Sequence, residues 1–326
     1  MRDNPDTKKG LFIALFLVVA AMVAPSMPSS WTQAAGYRAQ VTSQTTSFAV
    51  GRGPGALAFD GANVWVASQF GNSVTKLRRS DGAELSTFSV GTRPVALVYD
   101  GANVWVANQF SNNVTKVRAS DAFKLGTFAA GSGPCALAFD GANVWVANRN
   151  NNVTRLRASD GASLGSFAVG SSPGALASDG TNIWVANKGS DNVTKLRASD
   201  GANLGTFAAG DKPSALAFDG ASIWVTNFYS KNVTKLHASS GANLGTFDVG
   251  DGPSAVLYAG GYIWVANYGS ASVSKLQPGN GALVDTYPVS NSPSAVLYDG
   301  GNIWVANSSS GTVTKISPTL STATVP

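Results

Sequence analysis

A seven-bladed β-propeller is the fold that the sequence predicts, and three observations predict it. First, a W-V-A-N-like tetrad occurs seven times, at intervals of 39 or 40 residues, beginning at Trp65, Trp105, Trp145, Trp184, Trp224, Trp264 and Trp304. Such a period with a repeated Trp is typical of a four-stranded propeller blade. Second, 36 of the 326 residues are glycine and only 13% are charged, which favours short strands and tight turns. Third, no helical periodicity follows Ala24, and seven units can close into a ring that covers every apolar face.

The repeat at residues 131–170 shows how one unit divides into four strands. Strands a, b, c and d are predicted at residues 136–139, 144–147, 152–157 and 164–169. The Asp-Gly pair between strands a and b is a hairpin signal, because glycine accepts a positive φ and Asp bonds nearby amides. Strand b is apolar on both faces, as a sheet between two neighbours requires. In strand c, Lys or Arg alternates with Val and Leu, which suits a strand nearer the rim.

The two ends of the repeat region predict how the ring closes. Residues 45–50 match the strand d text of later repeats, whereas the last repeat ends near Ser317 without a strand d of its own. We therefore expect the N-terminal strand to complete the seventh blade. The alternative is that Leu320 to Val325 supplies the missing strand.

Residues 1–35 are predicted to be a signal peptide, and residues 36–326 the propeller. Two lysines precede an apolar run at residues 11–24, and small residues at 32–34 offer a cleavage point. The run of 14 residues is shorter than the roughly 20 that span a bilayer. We therefore expect cleavage rather than a retained anchor. The mature chain would then be secreted, periplasmic or on the cell surface, with no stable membrane span.

Charge and cysteine content exclude some classes of partner and bond. The formal net charge is +5, but the lysines and arginines are scattered and form no basic run, so we expect no nucleic-acid partner. The single cysteine, Cys135, excludes an intrachain disulfide. We expect a monomer.

The tetrads resemble those of the YVTN-type β-propeller repeat family. Residues 105–108 read Trp-Val-Ala-Asn, residues 224–227 read Trp-Val-Thr-Asn, the closest copy, and residues 65–68 read Trp-Val-Ala-Ser. The resemblance covers about residues 45–318. It implies the propeller fold and is consistent with an exported or surface-layer protein, but it implies no particular chemistry.

The streptogramin lyases, which are also seven-bladed and have a similar repeat, offer an enzymatic comparison. That family uses histidines, a glutamate and a magnesium ion, whereas this chain has one histidine, His237, and one glutamate, Glu84. His237 takes the place that Arg holds in strand c of other repeats, and Glu84 lies in a c–d turn. We therefore expect no lyase residue to carry over, and we predict no catalytic residue, metal or cofactor.

Several repeated polar residues are assigned structural roles. The a–b turn aspartates each lie in a separate blade and suit turn chemistry better than a shared metal ion; they are Asp60, Asp100, Asp140, Asp179, Asp219 and Asp299. The c–d turn aspartates Asp81, Asp160 and Asp200 are given the same role. The sequons at Asn113, Asn152, Asn192 and Asn232 recur because the entry to strand c recurs. Cys135 aligns with Gly, Val or Ser in the other repeats, so we expect a small residue at the start of strand a rather than a reactive thiol.

The two ends of the blades differ in how much they vary. In an a–b–c–d meander, the a–b and c–d turns lie at one end, called the constant face, where Asp-Gly-Ala-Asn recurs. The b–c loops and d–a links lie at the other end, called the variable face. Its candidate binding residues are Arg52, Phe70, Arg93, Phe110, Arg149, Lys188, Lys212, Phe228, Tyr229, Lys231 and Tyr268.

These residue types favour a recognition surface, because exposed aromatic and Arg side chains contribute large contact energies. We expect an exported binding or structural module that recognises a protein or carbohydrate ligand on the variable face, rather than an enzyme. Free drift of loop sequences would also explain the variation. The further alternatives are a divergent, lyase-like propeller enzyme and a surface that stacks sugar rings on aromatics. A pocket of convergent polar groups with shifted pKa values would favour the enzyme.

Overall fold

A computed structural model describes residues 44–317 as seven four-stranded antiparallel sheets, which form the blades of a ring. In this part of the chain there are 28 strands, which in chain order are β1 (Gln44–Ala49), β2 (Pro54–Phe59), β3 (Asn63–Ser68), β4 (Ser73–Arg78), β5 (Glu84–Ser89), β6 (Pro94–Tyr99), β7 (Asn103–Asn108), β8 (Asn113–Arg118), β9 (Lys124–Ala129), β10 (Pro134–Phe139), β11 (Asn143–Asn148), β12 (Asn152–Arg157), β13 (Ser163–Ala168), β14 (Pro173–Ser178), β15 (Asn182–Asn187), β16 (Asn192–Arg197), β17 (Asn203–Ala208), β18 (Pro213–Phe218), β19 (Ser222–Asn227), β20 (Asn232–His237), β21 (Asn243–Asp248), β22 (Pro253–Ala259), β23 (Tyr262–Asn267), β24 (Ser272–Leu276), β25 (Leu283–Pro288), β26 (Pro293–Tyr298), β27 (Ile303–Asn307) and β28 (Thr312–Ser317).

Each blade takes four strands in the predicted order. Blades 1 to 6 begin at β2, β6, β10, β14, β18 and β22, and in each the first strand is strand a, nearest the ring axis. Blade 7 has the order β1-β28-β27-β26. The predicted all-β, seven-bladed propeller is thus confirmed. The predicted signal peptide and the alternative closing segment, Leu320 to Val325, lie outside the described residues.

The N-terminal strand closes the ring, as the sequence predicted. β1 pairs antiparallel with β28, so that Phe48 lies opposite Val313. The Phe48 ring stacks on Trp304 at 5.7 Å between centroids. Trp304 in turn packs against Val64 and Val66 of blade 1. The last and first blades are therefore joined by the same kind of core that joins the others.

The core consists of the interfaces between blades. All seven strand b tryptophans are at most 3% exposed. Trp145, for example, packs against Ile183 and Val185 of the next blade and lies 5.5 Å from Phe167 of its own strand d. Gly201, in the next c–d turn, has φ +77°, and a Cβ at that position would collide with the Phe167 ring. Strand b is apolar on both faces because it contacts a neighbour on each side.

Strand c is the third strand from the axis, nearer the rim as predicted, but three of its lysines, Lys76, Lys116 and Lys195, are buried. Lys116 is only 6% exposed; its Nζ lies 5.0 Å from the Trp105 ring centroid. It donates to the carbonyl oxygens of Ala158 and Ser159 in the next blade. The aliphatic stem covers the indole while the ammonium reaches the next blade, so the ammonium is hydrogen-bonded without leaving the core. Strand d, which is mostly exposed, forms the rim.

Candidate functional site

The b–c loops and the d–a links form one face of the ring. The Gln69 amide donates to the Gly53 carbonyl at 2.9 Å, and the Phe228 amide donates to the Lys212 carbonyl at 3.0 Å. Each such bond joins a b–c loop to the link that precedes the same blade. The variable face is therefore a continuous surface, held by backbone hydrogen bonds.

On this face each blade contributes one side chain to a circle around the axis, from the first position after strand b. In order around the ring these side chains are Gln69, Gln109, Arg149, Lys188, Phe228, Tyr268 and Ser308. The repeat fixes the position while the residue type changes from blade to blade. The mouth is consequently polar, cationic, aromatic and hydroxylated in turn around its circumference.

An open cavity of about 780 Å³ lies between blades 6, 7 and 1. It brings together three of the predicted binding residues, Arg52, Phe70 and Tyr268. The sequence interpretation missed the hydroxyl-rich wall, Ser308 to Ser310. Those serines occupy the b–c loop of the last repeat, which is the signal that would have identified them. Because serine is common in loops, its presence in this loop did not indicate a site.

Several predicted cations lie against aromatic rings. The Arg93 guanidinium lies 4.8 Å from the Phe110 centroid. Lys212 Nζ lies 4.3 Å from the Tyr229 centroid and donates to the Tyr229 hydroxyl at 3.0 Å. Phe228 packs edge-on against Tyr229 and lies 6.2 Å from Tyr268. These contacts hold part of the aromatic surface in place, whereas Phe70, Phe110 and Tyr229 stay 68%, 61% and 59% exposed.

Lys231 is separated from this group by an ion pair. Its Nζ lies 3.0 Å from Asp251 Oδ1, and both side chains are 60% exposed. A solvated pair of this kind contributes little to binding or stability. Lys231 is therefore the weakest of the predicted binding residues.

A second, smaller cavity of about 340 Å³ collects three other predicted cations. Arg149 comes from the b–c loop of blade 3, Lys188 from that of blade 4, and Lys212 from the link before blade 5. We call this cavity the basic pocket. Cys135 and Gly174 form part of its inner wall.

A bulge in each strand a places one residue beside the axis. In blade 3 the register shifts between Pro134 and Ala136, so Cys135 is the extra residue. Its Sγ donates to the Pro173 carbonyl of blade 4 at 3.0 Å, as Ser214 Oγ does to Pro253 at 2.6 Å. Burial raises the pKa of the Cys135 thiol to about 11. These facts favour the predicted structural role over a reactive thiol.

The turn aspartates also have the contacts expected of turn residues. Asp140 Oδ1 accepts from the Ala142 and Asn143 amides, and Oδ2 accepts from the Trp145 indole at 2.7 Å. Burial alone would raise the pKa of Asp140, but the indole, amide and Asn143 donors outweigh it and hold the pKa below its usual value. The indole contact was not predicted.

The sequon asparagines form side-chain hydrogen bonds at the b–c loops. Asn152 Oδ1 accepts from Asn148 Nδ2 at 2.9 Å, and Asn148 Nδ2 also donates to Thr154. The same asparagine pair occurs at Asn187 and Asn192. The recurrence of the sequon thus follows from a hydrogen bond that closes the b–c loop in each of the four blades that have the sequon.

His237 and Glu84 lie away from the variable face. His237 ends β20 in blade 5 and contacts Ser239 through Nδ1. Glu84 begins β5 in blade 1, and its Oε1 accepts from Thr87. Both lie at c–d turns, on the constant face, in different blades. In residues 44–317 no three His, Cys, Asp or Glu side chains gather to form a metal site.

Comparison with known proteins supports the fold. No family model and no curated protein sequence matches the chain. Hydrazine synthase of Kuenenia stuttgartiensis is a structural neighbour, with a TM-score of 0.72 and 20% identity over 82% of this chain and 96% of that one. A streptogramin B lyase structure has a TM-score of 0.75 and 16% identity over 86% of this chain and 99% of that one. At these identities the likeness shows a β-propeller fold alone, and the resemblance to YVTN-type repeats remains a prediction.

No helix in the described part of the chain is long and apolar enough to cross a membrane.

Proposed function

We propose that this chain is an exported β-propeller that binds a protein partner through its variable face. The observation that carries the proposal is the exposure of Phe70, Phe110 and Tyr229 on loops that form one continuous surface. Apolar rings of this size gain free energy when a partner removes them from water. Export is supported by the predicted signal peptide.

The constant face has exposed aromatic residues too, so exposure alone does not assign the binding face. Phe123, Tyr258 and Tyr298 are 59%, 41% and 36% exposed and lie near c–d or a–b turns. The two faces differ in the cavities that lie beside their exposed aromatic residues. The constant face has a cavity of about 390 Å³, but the cavity beside the aromatic residues of the variable face has about 780 Å³, and concave sites with convergent polar groups are typical of ligand binding.

The experiment replaces Phe70, Phe110 and Tyr229 together by Ser. A partner is first captured with the wild-type chain from its own host, and its affinity is then measured for each variant. We expect a loss of several kcal/mol for the triple variant, since aromatic anchors commonly contribute about 1–2 kcal/mol or more each. Folding should be preserved, because these rings lie outside the blade core.

The matched control replaces Phe123, Tyr258 and Tyr298 by Ser. It removes three exposed aromatics from the constant face and should leave affinity unchanged. Normal binding by the first variant with loss by the control would place recognition on the constant face instead. Capture of a glycan rather than a protein, with the same dependence on the three variable-face aromatics, would support the carbohydrate alternative.

A divergent enzyme is the second candidate, and one observation favours it. Burial lowers the pKa of the Lys188 ammonium, and the nearby Lys212 and Arg149 charges add to the effect. A shifted lysine in a pocket is a feature of many active sites. Turnover of any substrate that is lost in Lys188→Gln, while Phe70→Ser keeps it, would establish this candidate.

A further inference from the structure

The basic pocket gathers positive charge that the described part of the protein does not neutralise. Arg149, Lys188 and Lys212 line it, and no carboxylate is among its lining residues in the described structure. They come from three separate elements, the b–c loops of blades 3 and 4 and the link before blade 5. Bringing like charges together in one concave site costs free energy.

Other cations of the protein show how exposed charges are usually paired. Arg157 Nη1 lies 3.0 Å from Asp160, Arg197 Nη1 lies 3.0 Å from Asp200, and Lys231 pairs with Asp251. Within residues 44–317, neither the Arg149 guanidinium nor the Lys188 ammonium has an ion pair or hydrogen bond of this kind. Arg52 also has no ion pair within residues 44–317, but it is the single cation lining its cavity, whereas the basic pocket brings three cations together.

The backbone around Lys188 makes room for its side chain. Gly174 is the bulge residue of blade 4, where Cys135 stands in blade 3, and a Cβ at position 174 would collide with Cδ and Cε of Lys188. The lysine therefore lies across the bulge toward the axis and is half-buried. A half-buried ammonium beside two other cations is most stable when an anion lies next to it.

We propose that the basic pocket binds an oxyanion, in the form of a carboxylate, phosphate or sulfate group of the ligand. This inference rests on the proposed function, since it names the chemistry of part of what the variable face recognises. Arg149 and Lys188 approach the anion from adjacent blades. Lys212 closes the third side, held there by its hydrogen bond to Tyr229. The volume of about 340 Å³ accommodates such a group with several waters, each of which takes about 30 Å³.

The test is calorimetric titration of the full chain at low ionic strength with inorganic phosphate, inorganic sulfate and glucuronate, in separate experiments. We expect saturable binding of at least one, and the three probes identify which oxyanion the pocket prefers. Lys188→Gln and Arg149→Gln should each raise the dissociation constant at least tenfold. A thermal melt of each variant checks that it is folded.

Lys124→Gln is the matched control, because it removes one positive charge from the exposed strand β9, away from the lining of the basic pocket. It should change the dissociation constant less than twofold. An equal loss of affinity in all three variants would mean that the net charge of the protein attracts the anion, and would contradict a binding site in the basic pocket. Absence of saturable binding by the wild type for every probe would also overturn it.

This test and that of the proposed function fail separately. If the aromatic triple variant loses its partner while no oxyanion binds, the proposed binding face is supported and the proposed anion site is wrong. If oxyanions bind through Lys188 and Arg149 while the aromatic variant binds its partner normally, the anion site remains and the aromatic recognition surface falls.

Discussion

At the residue scale, one aspartate connects a turn to the core in six of the seven blades. In six blades the a–b turn carboxylate accepts an indole hydrogen bond from the tryptophan five residues later, at 2.7–2.8 Å. In blade 6 Ala259 replaces the aspartate, and Trp264 donates to the Ala259 carbonyl at 3.2 Å. The same carboxylate thus accepts from amides of its own turn and from an indole N–H that would otherwise be buried between blades without an acceptor.

Asp140→Ala tests this role. At neutral pH the variant should lose about 1–3 kcal/mol of unfolding free energy, because the buried indole donor of Trp145 loses its acceptor. The folded-state pKa of Asp140 is lowered from 3.8, so the stabilisation is present above that value and is lost as the pH falls through the folded pKa. Wild type and variant should therefore converge in acid, as measured by urea unfolding at a series of pH values.

Asp160→Ala is the control, since Asp160 lies in an exposed c–d turn and pairs with Arg157. Little change is expected at any pH. A gap between wild type and Asp140→Ala that stays constant down to pH 2 would show that the charge of Asp140 does not matter.

The sequence predicted the turn role of these aspartates but not their bond to tryptophan. The Asp-Gly pair is a local signal, because both residues act on their own turn. The indole contact depends on the rotamer of a side chain packed between two blades, and local sequence carries no information on that packing. The same holds for Lys116: the alternation in strand c predicted a strand nearer the rim, but it did not predict that this lysine is buried against carbonyls of the next blade.

At the scale of the element, the edge strand β1 decides whether the ring is closed. Deleting residues 36–50 removes the partner of β28 and the Phe48 ring from Trp304. We expect a markedly lower melting temperature in a circular dichroism melt, because a fully buried tryptophan and an unpaired strand edge become exposed.

Deletion of residues 320–326 is the control for this experiment. Since β1 already pairs with β28, the melting temperature should not change. A drop in the control with none in the first variant would mean that the C-terminal segment completes the blade.

Element topology also explains which part of the candidate site was accessible to prediction. Meander order alone places all b–c loops on one face, so the candidate residues could be named from their repeat positions. The division of that face into an aromatic cavity and a basic pocket could not, because it depends on which loops are neighbours across the mouth. The pairing of Lys231 with Asp251 was missed for the same reason.

At the scale of the whole molecule, cohesion comes from contacts that repeat around the ring. Strand c lysines or arginines donate to carbonyls of the following blade at most interfaces, including Lys315 to Arg79 and Ser80 across the closure. Near the axis, four side chains at the strand a bulge also donate to a carbonyl of the following blade; they are Cys135, Ser214, Ser254 and Ser294. The interfaces between blades 3 and 4, 5 and 6, and 7 and 1 therefore have both an inner and an outer polar bond around an apolar core.

Lys116→Met tests the outer bond. Methionine keeps most of the apolar stem over Trp105 but leaves the Ala158 and Ser159 carbonyls without their donor. We expect a loss of about 1–3 kcal/mol in urea unfolding. Lys124→Met, on the exposed strand d of the same blade, removes the same charge and should change stability little. Equal losses in the two variants would mean that charge, not the bond between blades, is responsible.

Closure by β1 has a consequence for the order of events during synthesis. Ser47 bonds Thr314, a residue 267 positions later in the chain. At the roughly 5–20 residues per second of translation, the first strand is made about 15–50 s before its partner exists. Until then the nascent chain carries an unpaired β-edge at its start and an uncovered final blade. Such long-range pairing folds slowly and exposes the chain to aggregation while it waits. The geometry that seals the finished ring thus leaves the first strand of the unfinished chain without its partner until the last blade is complete.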